Sequence, residues 1–217
     1  PKGVMITHGM IKTMALSYFA DVDQVHPSDT TLYAAPMSHG AGLYSIMHVL
    51  AGARHAIPLS GGFDEEEIFG LAETLQNVHM FAAPTMVKRL TTFSRKNGYD
   101  GDGIRTIVYA GGPMYLSDII EAVEQFGSLF IQVYGQGECP MGITVLPRFE
   151  VADRDSKKWK KHLQSVGYAQ SAVEVKIGNK EGVAMTPGEI GEIMVRGELV
   201  MPGYWDNREA TSKTIIN

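Results

Sequence analysis

The sequence predicts an α/β protein in which a mainly parallel sheet is covered by helices and followed by an antiparallel β unit. Three observations carry that expectation. Short β-branched or apolar runs alternate with stretches of helical periodicity through the first two thirds of the chain, the pattern of successive βαβ units. Most of those β runs end in loops rich in glycine and proline. Beyond about residue 150 the helical periodicity gives way to alternating β-type runs divided by glycine and proline turns.

Each element has a local reason. Residues 4–20 carry Met10, Met14, Leu16 and Phe19 at spacings that share a helix face. His26-Pro27-Ser28-Asp29 is turn chemistry, and a first β run at 30–36 follows it. Residues 43–50 return to helical spacing, and a second β run at 53–59 closes on Ser60-Gly61-Gly62. Asp64-Glu65-Glu66-Glu67 opens a helix, because negative charge complements a helix N-terminus. A third strand at 78–83 leads to Pro84-Thr85, which starts a helix reaching Arg95. A fourth strand at 106–110 breaks at Gly111-Gly112-Pro113, residues 116–126 are helical, and residues 129–134 form a fifth strand. The charged stretch 153–162 reads as a surface loop or short helix, and 173–177 and 189–196 as antiparallel strands. The change of character places a boundary near 150–165.

Composition narrows the classes of function. The 217 residues are 44% apolar and 20% charged, enough apolar content for a sizeable core. Nineteen Lys and Arg against 24 Asp and Glu give −5, which argues against a general nucleic-acid binder. The single Cys139 has no internal disulfide partner and suits a reducing compartment. No apolar run reaches the length of a membrane span and no signal peptide is visible, so the expectation is a soluble, cytoplasmic protein. An opening on Pro1-Lys2-Gly3 and a close on a cut helix read as an internal piece of a longer protein.

Ligands of open α/β sheets bind at the carboxyl ends of the strands. Three loops there are unusual: 36–42, 110–113 and 134–138. Gly135-Gln136-Gly137 has the spacing that begins a dinucleotide fingerprint, but Pro140 stands at the third glycine position, so a tight turn is an equal reading. Lys157, Lys158, Lys160 and Lys161 around Trp159 offer a phosphate-binding alternative beside the plainer one of a solvated face. Cys139 has no activating histidine adjacent in sequence and reads as structural.

The motifs in combination resemble one family. Pro1-Lys2-Gly3-Val4 with Thr7-His8, then Tyr134-Gly135-Gln136-Gly137-Glu138, then 188–197 (GEIGEIMVRG) and Met201-Pro202-Gly203-Tyr204-Trp205 resemble the adenylate-forming (AMP-binding) enzymes, in their acyl-CoA synthetase branch. The resemblance runs essentially the whole length in one order. It implies that residues 1–155 form an α/β subdomain of the adenylation domain and residues 156–217 part of a distorted β-barrel. It also implies a two-step reaction. A small-molecule carboxylic acid, expected to be a fatty acid, attacks the α-phosphate of ATP to give an acyl-adenylate. The thiol of CoA, the co-substrate, then displaces AMP.

Residue by residue, the resemblance makes Glu138 the Mg²⁺-holding glutamate, a hard oxygen ligand suited to that ion. Tyr134 flanks the adenine, and Gly111, Gly112 and Pro113 carry it through backbone groups. Gly135, Gln136 and Gly137 complete the nucleotide loop. His39 gates the carboxylate pocket, and Lys2 is the charged residue of the phosphate loop. The segment from Phe81 to Thr85 and the strand end at Tyr109-Ala110 line the acyl tunnel, near Met37, Met47, Met80, Met86 and Met114, which ordinary core filling explains as well. One departure stands out: the family's usual threonine before the glutamate is Gly137, which removes a hydroxyl donor. The head of the phosphate loop, the ribose-binding aspartate and the small domain with its lysine would lie outside this sequence. The isolated chain is therefore expected to be a poor catalyst. Alternatives in view are a non-catalytic adenylate- or acyl-binding module, and a domain loading a carrier protein. An amino-acid-activating domain is disfavoured because Met37-Ser38-His39 contains no acid for a substrate ammonium.

Overall fold

The computed structural model describes residues 2–216; Pro1, part of the opening motif, and Asn217 lie outside the described residues. The elements in chain order are α1 (His8–Ser17), a π-helical turn (Tyr18–Val22), β1 (Thr30–Leu32), α2 (Gly40–Leu43), α3 (Ser45–Ala51) and β2 (Arg54–Ala56). There follow α4 (Glu65–Leu75), β3 (Val78–Ala82), α5 (Pro84–Asn97), β4 (Ile104–Tyr109), α6 (Leu116–Phe126), β5 (Phe130–Gln136) and β6 (Cys139–Leu146). The chain ends with α7 (Arg148–Ala152), α8 (Trp159–Leu163), β7 (Tyr168–Ala169), β8 (Val173–Gly178), β9 (Glu192–Gly197) and α9 (Arg208–Thr214).

Seven strands form one sheet in the order β2-β1-β3-β4-β5-β6-β7. The first five are parallel neighbours, and β6 and β7 add antiparallel to that edge. Strands β8 and β9 make a separate antiparallel pair. The central strands are apolar on consecutive residues because both faces are covered. Val78, Met80, Ala82, Ile107 and Tyr109 pack with Ile68 and Phe69 of α4, Val87 and Leu90 of α5, and Ile119 and Val123 of α6. The alternate residues Val108, Ile131 and Val133 pack on the other side with Met14 and Ala15 of α1 and Met47 of α3.

Helix starts follow local chemistry. Asp64 caps α4 by accepting from Glu67 N–H at 2.8 Å, and Pro84 opens α5 where a missing N–H costs nothing. The first helix is shorter than its periodicity suggests. Thr7 accepts from Met10 N–H at 3.1 Å and starts α1 there, while Val4 pairs in extended form with Tyr204.

The structure adds one strand that the sequence left unassigned and decides two readings that it left open. Residues 139–146 form a strand: Pro140 and Gly142 obscure its pattern, but Ile143, Thr144, Val145 and Leu146 are all buried. Gly135-Gln136-Gly137 sits in the hairpin between β5 and β6 with no helix after it, so it is no dinucleotide fingerprint. Trp159 is core, 8% exposed, and its indole N–H donates to the Val151 carbonyl at 2.7 Å. The ring therefore cannot stack on a phosphate ligand's base beside the flanking lysines.

At the amino ends of β1, β3 and β4 a polar network ties the layers together. Asp29, 1% exposed, accepts from His26 N–H (2.8 Å), His79 Nε2 (3.1 Å) and Arg105 Nη1 (2.5 Å). Asp23 accepts from Thr106 Oγ1 and Arg148 Nη2 at 2.5 and 2.8 Å. Buried carboxylates are stable only when so surrounded.

Candidate functional site

The carboxyl ends of the parallel strands lie at one edge of the sheet, opposite that network. They deliver three loops: residues 33–39 after β1, Ala83 after β3, and residues 110–115 after β4, with the β5–β6 hairpin beside them.

The start of α2 and the loop after β4 meet at Phe81. This half-buried side chain points to the face opposite Met80, and a side-chain carbon placed at Gly40 or Gly111 would stand 3.6 or 3.9 Å from its ring. His39 is exposed immediately before α2, with Nδ1 3.1 Å from Ser38 Oγ. Gly111, Gly112 and Pro113 are exposed beyond β4, and Gly111 has φ +86°. Tyr109 is fully buried on the other face of the sheet, against Phe130, and burial pushes its phenol well above the ordinary range.

The β5–β6 hairpin carries the other predicted residues. Tyr134 is half-buried and its hydroxyl accepts from Gln136 Nε2 at 2.8 Å. Gly135 is required by the chain itself. A side-chain carbon there would lie 2.3 Å from Met141 N, where the strand register shifts and Met141 adopts φ +57°. Gly137 is exposed, and a side-chain carbon there would stand 3.4 Å from a Val4 methyl. A threonine at this position would meet that methyl in ordinary contact. Cys139 is buried, which pushes its thiol up to about 11, so it is no nucleophile at neutral pH.

Glu138 and Lys2, separated by most of the sequence, are brought together by a residue whose role the motifs did not assign. Tyr204 Oη donates to Glu138 Oε1 at 2.5 Å and accepts from Lys2 Nζ at 3.0 Å. The Lys2 ammonium also stands 4.4 Å from the Tyr204 ring centroid. Hydrogen bonding to Tyr204 raises the pKa of the Lys2 ammonium, which keeps it charged. A short ladder makes the meeting possible: Met5 N–H donates to Gly203 O (3.1 Å) and Trp205 N–H to Gly3 O (2.7 Å). The only sequence signal for Tyr204 is its place in the stretch Met201-Pro202-Gly203-Tyr204-Trp205.

Glycine-bearing loops at the carboxyl edge of a parallel sheet, with a carboxylate and an ammonium on one phenol beside them, lie where open α/β sheets bind their ligands. The AMP-binding enzyme model matches residues 1–205, and the chain belongs to that family. It is 30% identical to a feruloyl-CoA synthase of Amycolatopsis sp. over 99% of this chain and 42% of the relative. It is 29% identical to a medium/long-chain-fatty-acid–CoA ligase of Mycobacterium tuberculosis over 99% of this chain and 36% of that protein. Among solved structures it matches O-succinylbenzoate coenzyme A synthetase of Bacillus subtilis in complex with AMP. That match has TM-score 0.84 and 26% identity, and covers 100% of this chain and 42% of the other. The chain thus spans less than half the length of these relatives. Among the described residues no helix is long and apolar enough to cross a membrane.

Proposed function

We propose that the whole protein to which this chain belongs is an ATP-dependent acid–thiol ligase. A carboxylate attacks the α-phosphate of ATP, pyrophosphate leaves, and the thiol of CoA then displaces AMP from the acyl-adenylate. The observation that carries the reading is the Lys2–Tyr204–Glu138 chain beside glycine loops at the carboxyl edge of the sheet. Lys2 offers positive charge to phosphate, and Gly111, Gly112, Pro113 and Tyr134 form the adenine side. His39 and Phe81 face the acid.

The donor set fits a magnesium ion. Glu138 Oε2 accepts no hydrogen bond from a described residue, and no group of three or more metal-ligating side chains is present among those residues. Mg²⁺ is commonly held in this way, by one or two carboxylates plus substrate phosphates and water. When bound it supplies neutralisation of phosphate charge. Glu138 holds the negative charge on which that depends.

The acid we assign is one with an apolar body, a fatty acid first. Residues 36–42 hold no carboxylate for a substrate ammonium, and Met37, Met86 and Met114 flank the strand ends. A planar aryl acid is the second reading, favoured by the Phe81 ring between Gly40 and Gly111. The buried, unpaired Cys139 agrees with a reducing, cytoplasmic setting. The test is acid-dependent exchange of pyrophosphate into ATP by the full-length protein, run with octanoate, palmitate, ferulate and phenylalanine, followed by mass detection of the CoA thioester. Exchange with octanoate or palmitate supports the first reading and exchange with ferulate alone the second. Exchange only with phenylalanine, or with none, overturns both.

A further inference from the structure

We infer that Tyr204 is a positioning residue whose hydroxyl fixes the Glu138 carboxylate for the metal–nucleotide, while its ring, 4.4 Å from the Lys2 ammonium, keeps that charge in place; this rests on the ligase reading above. The direction of the hydrogen bonds follows from the groups themselves. An ammonium has no acceptor, so Lys2 must donate to the phenol oxygen at 3.0 Å. The phenol's single hydrogen is left for Glu138 Oε1, at 2.5 Å. Each bond polarises the other, since the ammonium draws density from the oxygen whose hydrogen the carboxylate accepts.

Tyr204 is built to stay where it is. Its side chain is only 3% exposed and packs with Met10 and Met201. Its own N–H donates to Thr211 Oγ1 at 3.0 Å, and its neighbours on both sides are bonded to Gly3 and Met5. Glu138 is gripped twice by the same strip, because Met201 N–H also donates to the Glu138 carbonyl at 2.8 Å. One carboxylate oxygen is thereby fixed, and the other accepts from none of the described residues. Lys2 and Glu138 are joined through a neutral hydroxyl, so among the described residues neither has its charge cancelled by a direct pair.

The test uses the full-length protein as wild type, Tyr204→Phe, Glu138→Gln and the double variant. Phenylalanine keeps the ring and removes only the hydroxyl. Binding of α,β-methylene-ATP is measured by calorimetry with Mg²⁺ and with EDTA. The expected result is that Tyr204→Phe shrinks the Mg²⁺-dependent gain in affinity about fivefold or more and changes metal-free affinity less than about twofold. Pyrophosphate exchange slows about tenfold with the KM for acid unchanged, and adding Tyr204→Phe to Glu138→Gln has little further effect. The assignment is overturned if Tyr204→Phe keeps the wild-type Mg²⁺ dependence, if the two substitutions act independently, or if both binding modes weaken together. It is also overturned if Tyr204→Phe does not fold, since the hydroxyl would then serve the fold. If no acid supports exchange by the wild type, the ligase reading fails, while the binding measurements still report on Tyr204.

Discussion

On the proposed ligase function, replacing Glu138 by glutamine in the full-length protein should separate the two half-reactions. The change removes one negative charge and keeps the shape of the side chain. In the structure Oε1 accepts the Tyr204 hydrogen bond at 2.5 Å. A glutamine carbonyl can accept the same bond, which turns its NH₂ to the place of the free carboxylate oxygen. A donor then stands where a cation needs an acceptor. Loss of one preorganised electrostatic contact of this kind costs about 3 kcal/mol, roughly 150-fold in rate. Pyrophosphate exchange should fall by that factor, with acid binding altered little. Transfer from a synthetic acyl-adenylate to CoA begins after pyrophosphate has left, and should slow less than about threefold. Single-turnover kinetics measure the second step and isotope exchange the first. Small and equal effects on both steps would remove Glu138 from the site, and large equal effects would show that the substitution damages the fold.

Asp29→Ala leaves Arg105 and His79 without the buried carboxylate that both reach. The expected loss is about 3–5 kcal/mol, roughly 6–20 °C in Tm for a chain of this size, and urea unfolding that shows less than about 1 kcal/mol would refute the role given to the network. Burial, with His48 facing it, lowers the pKa of His79 from 6.5 to about 4. The unfolded chain takes up that proton first, so the contribution of neutral His79 is complete above pH 6.5 and is lost as pH falls toward 4. Urea midpoints through this window should fall less steeply in His79→Gln than in the wild type. Gly42→Ala would place a methyl carbon 1.9 Å from the Met37 carbonyl oxygen. The loop carrying His39 must move, so we expect about 1–3 kcal/mol of destabilisation together with a raised KM for the acid; an unchanged KM would separate this loop from the acid site.

How much could be read from the chain differs between local and distant relations. The acidic run 64–67 announced α4 because a cap and a helix dipole act within one turn. Helix α6 was legible over Leu116–Phe126 because its buried residues recur at helical spacing. Strands β3, β4 and β5 were legible as largely apolar runs between turn residues, since burial on both faces leaves that mark, whereas the edge strand β2, Arg54–Ala56, is largely exposed. Strand β6 was not, because Pro140 and Gly142 look like a turn until its pairing with β5 and β7 satisfies the backbone.

The same division holds at the site. By itself the sequence determined the helix and strand alternation and the three glycine-bearing loops, and its motifs singled out Glu138 and Lys2 as candidates. Only the tertiary structure decided that Gly135 answers to Met141 across a bulge and that Trp159 belongs to the core. It alone decided that Tyr204 joins Lys2 to Glu138. Capping, turn formation and periodicity are written within a few residues of the chain. A bond between residues 2 and 204 depends on strand order and on the ladder that pairs the two segments, and no local pattern encodes such a register.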